Sequence, residues 1–468
     1  MSLRLSHILK PFMQEDVHAR LKVVLLSVAF FLVIGGYTLV KELKDSVFVS
    51  IVGVDWLPLA KVFSMIVLIP MVIFYSKLVD VLRRYELLCF YAILYSIGGL
   101  VCTYFLGHPT IGLPNTDTGQ YRLFGWFFYF FLEGYAPFVV SVLWAFVNSV
   151  TAPEEIKNKY IIMTASSKLG GALMAGIAWW VLRMDARGIL SFSDVAIYQL
   201  LLISASLVLL LVPVVITALV RSVPASYLHG YEAAYRVEVK REKQHEKEPA
   251  GAKKTFYDLF QGLWLLIRYP YVLGIFGMIF FWEIVNVIFN YMRLCVGRSE
   301  TTSMADFGAF LYQQACFTHI VGFFFVILGT RTLVAKLGER RSLIAVPVLI
   351  GSVIGFYLMS YRSITAVAVA YVFMRAINYA FAYPLRESLY IPTTKAMKFK
   401  SKSWIDGFGA KLSKTTGSMY NYLVPVSILS VNIVFFGVII AVWIVMANAL
   451  GRRFEQAVAR NEVIGGDE

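Results

Sequence analysis

Charge is scarce in this chain. Of its 468 residues only 15% are Asp, Glu, Lys or Arg, where a soluble protein carries about a quarter. That scarcity argues against a soluble α/β enzyme. Cysteine is also sparse. Cys89, Cys102, Cys295 and Cys316 show no metal-like or redox-like spacing and are read as packing residues. The six histidines are scattered, without an HExxH pair. No metal or cofactor is expected. Residues 1–20 are polar and basic, and the apolar run behind them is a full span rather than a short signal core, so no cleavable signal is expected. A Ser- and Arg-rich transit segment is missing too, which favours a bacterial inner membrane.

What is abundant is apolar surface. Hydrophobic residues make up 59% of the chain, and the mean hydropathy is +0.69. Apolar runs long enough to cross about 30 Å of hydrocarbon recur along nearly the whole length. They predict helices within 22–42, 57–79, 87–106, 123–149, 160–182, 197–220, 270–292, 307–333, 342–361, 364–390, 404–430 and 431–450. Polar residues interrupt the eleventh.

The net charge of +14 is a topology signal rather than a nucleic-acid surface. Of the 43 Lys and Arg residues, 29 fall in the termini and alternate connections on one side. By the positive-inside rule both ends are cytoplasmic. The one long polar connection, 221–268, holds nine basic and six acidic residues. It predicts a cytosolic linker between an N-terminal bundle, 1–220, and a C-terminal bundle, 269–468.

The halves look related. Lys157, Lys159 and Lys168 match Lys400, Lys402 and Lys411 at a constant offset of 243 residues. Lys77 with Asp80, Arg83 and Arg84 has a looser counterpart in Lys336 with Glu339, Arg340 and Arg341. The expected fold is therefore an all-α integral membrane protein of about twelve helices in two pseudo-symmetric six-helix bundles. This is the major facilitator layout, with substrate near mid-membrane. The Asp80, Arg83, Arg84, Glu339 and Arg340 loops, with Lys402, are read as gating elements.

Ionisable residues inside spanning helices cost several kcal/mol unless paired or wetted, and so are functional candidates. At about 1.5 Å per residue, Glu133 lies about 15 Å into helix 4 and Arg375 about 16 Å into helix 10. Lys168, Lys411 and Lys414 are similarly deep. Lys44 and Asp45 stand in the outer part of helix 1, Lys61 one turn into helix 2, and Glu283 deep in helix 7. Lysines outnumber acids here, which suits a polyanionic ligand. Against this stand plainer readings. Glu133 and Arg375 could neutralise each other, Lys41 and Asp45 could pair at i and i+4, and Lys61 could snorkel. Tyr129, Trp144 and Tyr379 could stack on a base or simply pack.

Three stretches carry a resemblance. They are Lys41-Glu42-Leu43-Lys44-Asp45-Ser46-Val47-Phe48-Val49, Trp56-Leu57-Pro58-Leu59-Ala60-Lys61, and Arg386-Glu387-Ser388-Leu389-Tyr390-Ile391-Pro392-Thr393. The last continues through Lys400-Ser401-Lys402-Ser403-Trp404-Ile405-Asp406 to Lys411, Lys414 and Gly417. Here the chain resembles the ATP/ADP translocase family of intracellular bacteria and plastids. The resemblance implies transport roles for Lys44, Lys61, Glu133, Lys402 and Lys411. It also exposes a departure. That family usually carries a glutamate late in helix 7, where this chain reads Asn286-Val287-Ile288-Phe289-Asn290-Tyr291-Met292-Arg293.

The expected activity is nucleotide exchange by alternating access. Phosphates would meet Lys44, Lys61, Lys168, Lys411, Lys414 and Arg375, with Asn286 beside them, and Glu133, Glu283 and Asp45 would serve as coupling or pairing acids. The rival is a proton-coupled carrier of another anion, such as an organic phosphate or a carboxylate chelate, with Glu133 or Glu283 as proton site. The expected partners are the anionic solute and the lipid bilayer, not nucleic acid, with the chain acting as a monomer. A membrane enzyme or scaffold lacks a recognisable nucleophile–base pair, metal cluster or hydrolysis motif.

Overall fold

The computed structural model describes residues 14–151, 156–190, 192–228, 263–328, 337–394 and 401–465, with residues 12 and 397. The expected linker, 221–268, thus lies largely outside the described residues, as do Lys395, Lys398 and Lys400.

Nearly all described residues are helical. The helices are α1 (Val17–Ile51), α2 (Leu57–Val81), α3 (Arg84–Leu106), α4 (Leu123–Val150), α5 (Ile156–Ala186) and α6 (Asp194–Ser222). They continue as α7 (Pro270–Glu300), α8 (Met304–Leu328), α9 (Glu339–Met359), α10 (Ile364–Ile377 and its continuation to Ser388), α11 (Lys402–Leu423, interrupted) and α12 (Leu429–Ala459). Among the described residues, ten of these are long and apolar enough to cross a membrane. The chain is a multi-pass membrane protein.

The other two, α10 and α11, are broken. The straight apolar part of α10, Ile364–Ile377, is about 21 Å long, short of a full span. A π turn at Asn378–Ala382 and a short helix Tyr383–Ser388 extend it. In α11 a π turn at Ile405–Gly409 precedes the polar segment Ala410–Leu423. That segment ends seven residues before the expected 430, and α12 runs on to Ala459, well past the expected 450.

Local chemistry sets several ends. Ser193 caps α6 by accepting from the Ala196 N–H at 3.2 Å, with Asp194 in the first turn. Ser363 caps α10 in the same way at 3.3 Å. Pro58 opens α2, where its missing N–H is harmless. In the connection before α4, the Arg122 guanidinium donates to the carbonyls of Asn115 (2.9 Å), Asp117 (2.7 Å), Ile111 (3.1 Å) and Gly112. This basic residue is a loop clamp.

The chain forms two compact units. The first contains residues up to Lys243 together with Gly297–Leu328; the second contains Gln244–Val296 and Gly329–Glu468. In the first, α1 packs on α5, α6 and α8, α5 packs on α8, and α3 packs on α6. In the second, α9 packs on α12 and α10. Small residues allow close approach. A Cβ on Gly170 of α5 would strike the Phe31 carbonyl of α1, and one on Gly171 would strike the His319 ring of α8. Inward hydroxyls supply interhelical bonds. Tyr312 donates to the Leu39 carbonyl (2.7 Å) and Tyr135 to the Val33 carbonyl (3.1 Å).

Candidate functional site

In the first unit the deep charges gather where α1 meets α4. Lys44, with its side chain 9% exposed, forms an ion pair with Glu133 of α4. Its ammonium also lies 3.5 Å from Asp45 and 4.4 Å from the Tyr129 ring centroid. Glu133 closes the first segment of α4 (Leu123–Glu133), and a π turn at Ala136–Val140 follows. Pro137 has no N–H to offer the Glu133 carbonyl, so the helical ladder cannot run straight through this point. π turns of this kind recur at functional sites, and α10 carries the same device at Asn378–Ala382.

One expected pairing is corrected here. Lys41 does not take Asp45; it pairs with Glu42 at 2.5 Å, and Asp45 turns to Lys44. A Lys placed N-terminal to its acid at i, i+4 is the less favourable order. Glu133 has Lys44 as an ion-pair partner. Tyr129 and Trp144 are packing residues. Tyr129 is fully buried, 5.0 Å from the Phe48 ring, and Trp144 meets Phe30 edge-on at 4.5 Å. Tyr379, 38% exposed, stands in the π turn of α10.

Lys61 is partly buried one turn into α2. Lys168 is buried in α5 with its aliphatic stem 3.4 Å from where a Cβ on Gly322 of α8 would stand. One turn before Gly322 on α8, His319 Nε2 lies 3.0 Å from the Thr38 hydroxyl of α1.

In the second unit, Glu283 of α7 accepts from Asn286 Nδ2 at 3.3 Å, and Lys414 of α11 approaches the same carboxylate oxygen at 4.0 Å. The Lys414 side chain is 54% exposed. Lys411 is partly buried on the same helix. Arg293 is fully buried with its guanidinium 4.1 Å from the Tyr371 ring centroid, and Arg375 approaches the same ring at 5.3 Å.

The expected gating residues lie at helix ends. Arg83 precedes α3, its N–H donating to Glu86 at 2.9 Å, and Arg84 opens that helix. The side chain of Asp80 lies outside the described residues. Glu339 is in the first turn of α9, and Arg340 donates to Asn448 of α12 at 2.9 Å. Lys402 pairs with Glu387 at 2.5 Å and lies 5.4 Å from the Tyr390 ring centroid.

Sequence reasoning missed Glu42, Thr38 with His319, and the burial of Asn290 and Arg293. For the last two a signal existed. Glu283, Asn286, Asn290 and Arg293 follow helical spacing along one face of α7. A cavity of about 300 Å³ bounded by Pro70, Met71, Phe74, Tyr91, Leu94, Tyr95, Phe131 and Phe138 is almost wholly apolar, and offers a polyanion nothing.

The chain resembles known proteins. The model of the TLC ATP/ADP transporter family matches residues 4–122 and 118–454. ADP,ATP carrier protein 1 of Chlamydia pneumoniae is 21% identical over 507 residues, covering 96% of this chain and 95% of its own. The counterpart from Chlamydia trachomatis is also 21% identical, covering 95% of this chain and 91% of its own. Among solved structures, a D-xylose-proton symporter matches with a TM-score of 0.61 at 13% identity, over 92% of this chain and 96% of that one. A bacterial homologue of the iron transporter ferroportin matches with a TM-score of 0.60 at 10% identity, over 94% and 99%. At such identities these two structures establish the fold alone, a transporter fold of the major facilitator type. The family match spans nearly the whole chain, and the chain belongs to the TLC ATP/ADP transporter family.

Proposed function

We propose that this chain exchanges ATP for ADP, or a related nucleotide pair, across a membrane by alternating access. Its family, and relatives that carry the name ADP,ATP carrier, support nucleotide transport as the activity. The observation that carries the residue assignment is the buried Lys44, held by Glu133 and Asp45 under the Tyr129 ring. A buried ammonium shared with a partly exposed carboxylate is a cation that an entering phosphate can take over.

In this reading the phosphates contact Lys44, Lys61, Lys168, Lys411, Lys414 and Arg375, with Asn286 alongside. Glu133, Glu283 and Asp45 balance those cations when substrate leaves. Asp80, Arg83, Arg84, Glu339, Arg340 and Lys402 act in gating. The chain works as a carrier, not an enzyme, and as a monomer in the bilayer. Placement in a bacterial inner membrane with both termini cytoplasmic rests on the alternating Lys and Arg bias.

The test is uptake of labelled ATP into proteoliposomes with and without internal ADP. Stimulation by internal nucleotide is the expected result. If no internal nucleotide stimulates uptake, the exchange reading fails.

A further inference from the structure

Along α7, Glu283, Asn286 and Asn290 share one strip of the helix surface at about 100° per residue. On one side of the strip Ile284 and Val287 meet Gly417 of α11. On the other side Arg293 lies over Tyr371 of α10. Asn286 is 8% exposed and Asn290 9%. The Asn286 amide is oriented, because its Nδ2 donates to Glu283. Its Oδ1, and the Oδ1 of Asn290 one turn on, are buried and accept no hydrogen bond among the described residues. Buried polar atoms in native proteins are nearly always satisfied, so two adjacent orphans of one kind call for a donor.

Both orphan atoms are acceptors, and the Glu283 carboxylate sits beside them. A phosphate oxygen is itself an acceptor and cannot donate to either of them. The group that suits them is neutral and carries two N–H bonds. Residues at i and i+4 stand about 6 Å apart on a helix, a separation that one planar amino group can bridge.

We propose that Asn286 and Asn290 read the exocyclic amino group of a purine, so that the carrier discriminates a 6-amino base from a 6-oxo base. This rests on the nucleotide reading above. It goes further by assigning the base-specificity contact to α7, where the resemblance had left a missing acid.

The experiment compares ATP, ITP and dATP as substrates for exchange in proteoliposomes. Wild type is expected to prefer ATP over ITP by about tenfold or more, because a buried acceptor is left unpaired by the oxo base. Asn290→Leu and Asn286→Leu should bring that ratio toward one, whereas Asn290→Asp, which keeps an acceptor, should retain it. If Asn290→Leu does not fold, Asn290→Ala is read in its place. Equal use of ATP and ITP by wild type overturns the proposal and leaves water as the occupant of these acceptors. An unchanged ATP/ITP ratio in the variants overturns it as well. So does a change confined to the ATP/dATP ratio, which would assign the contact to ribose hydroxyls. If no nucleotide exchanges at all, the functional reading falls along with this one; if nucleotides exchange without base preference, only this one falls.

Discussion

On the proposed assignment of Lys44 to substrate phosphate, Glu133 competes for the same ammonium, so removing the Glu133 charge should tighten nucleotide binding. The Lys44 ammonium is buried, with Asp45 at 3.5 Å and Glu133 as its closest anion. At an effective dielectric of about 20, a unit charge at that separation is worth about 5 kcal/mol of Coulomb attraction. In Glu133→Gln, Asp45 still neutralises Lys44 and the site does not collapse. An arriving phosphate about 5 Å from position 133 no longer meets a carboxylate whose repulsion is about 3 kcal/mol at the same dielectric. Glu133 is 34% exposed, so solvent screening takes roughly half of this. The remainder, about 1.5 kcal/mol, is a tenfold fall in Kd. Lys44→Met should do the opposite, because it leaves Asp45 and Glu133 without their cation and removes a phosphate contact. The assay is equilibrium binding of labelled ATP to detergent-purified protein, run beside proteoliposome exchange so that binding and turnover are read separately. Glu133→Gln is expected to bind more tightly and turn over more slowly, since a ligand held harder leaves later. Binding by Glu133→Gln that is weakened as much as by Lys44→Met would refute the competition argument.

Other consequences can be checked on the same preparations. Lys168→Met should raise the nucleotide KM in exchange assays, because it removes a buried ammonium proposed to meet phosphate; an unchanged KM would count against that contact. Gly171→Ala places a Cβ against the His319 ring and disturbs its contact with Thr38. Overpacking of this kind costs about 1–3 kcal/mol, so the thermal midpoint in detergent should fall, and Gly171→Ala/His319→Ala should recover most of the loss. The half-exposed pair Lys402–Glu387 is worth at most about 1 kcal/mol to stability. Lys402→Glu should therefore slow exchange with little change in midpoint, and adding Glu387→Lys should restore the rate if the pair acts in gating.

Most helices were legible because burial in hydrocarbon demands long apolar runs, and nothing else in the chain mimics them. The breaks in α4 and α10 were not, and in α11 only the polar interruption was. A π turn shifts one hydrogen-bond register without altering the apolar pattern. The charges that interrupt apolar runs were legible too, which is why Lys44, Glu133, Lys168 and Glu283 stood out. Partner choice was not. Lys41 with Asp45 is the pair that sequence spacing offers, but the pairs that form depend on which face of α1 meets α4, and that is set by tertiary packing. The polar strip on α7 lay between these cases. Its spacing was visible, but the burial that gives Asn290 its interest belongs to the folded unit.

The pairing of Lys44 also changes how exchange must be explained. A cavity whose lysines lacked counter-charges would resist closing empty because its cations would be stripped of water. At α1 and α4 Lys44 has Asp45 and Glu133 as counter-charges, and the neighbouring Lys41 has Glu42. This corner therefore does not penalise an empty carrier through surplus positive charge. Its effect falls on the loaded state. A phosphate that captures Lys44 must push Glu133 aside, and Glu133 recaptures Lys44 as the phosphate departs. An acid that returns to its lysine in this way speeds release by supplying the contact the product gives up, so affinity stays modest and turnover stays possible.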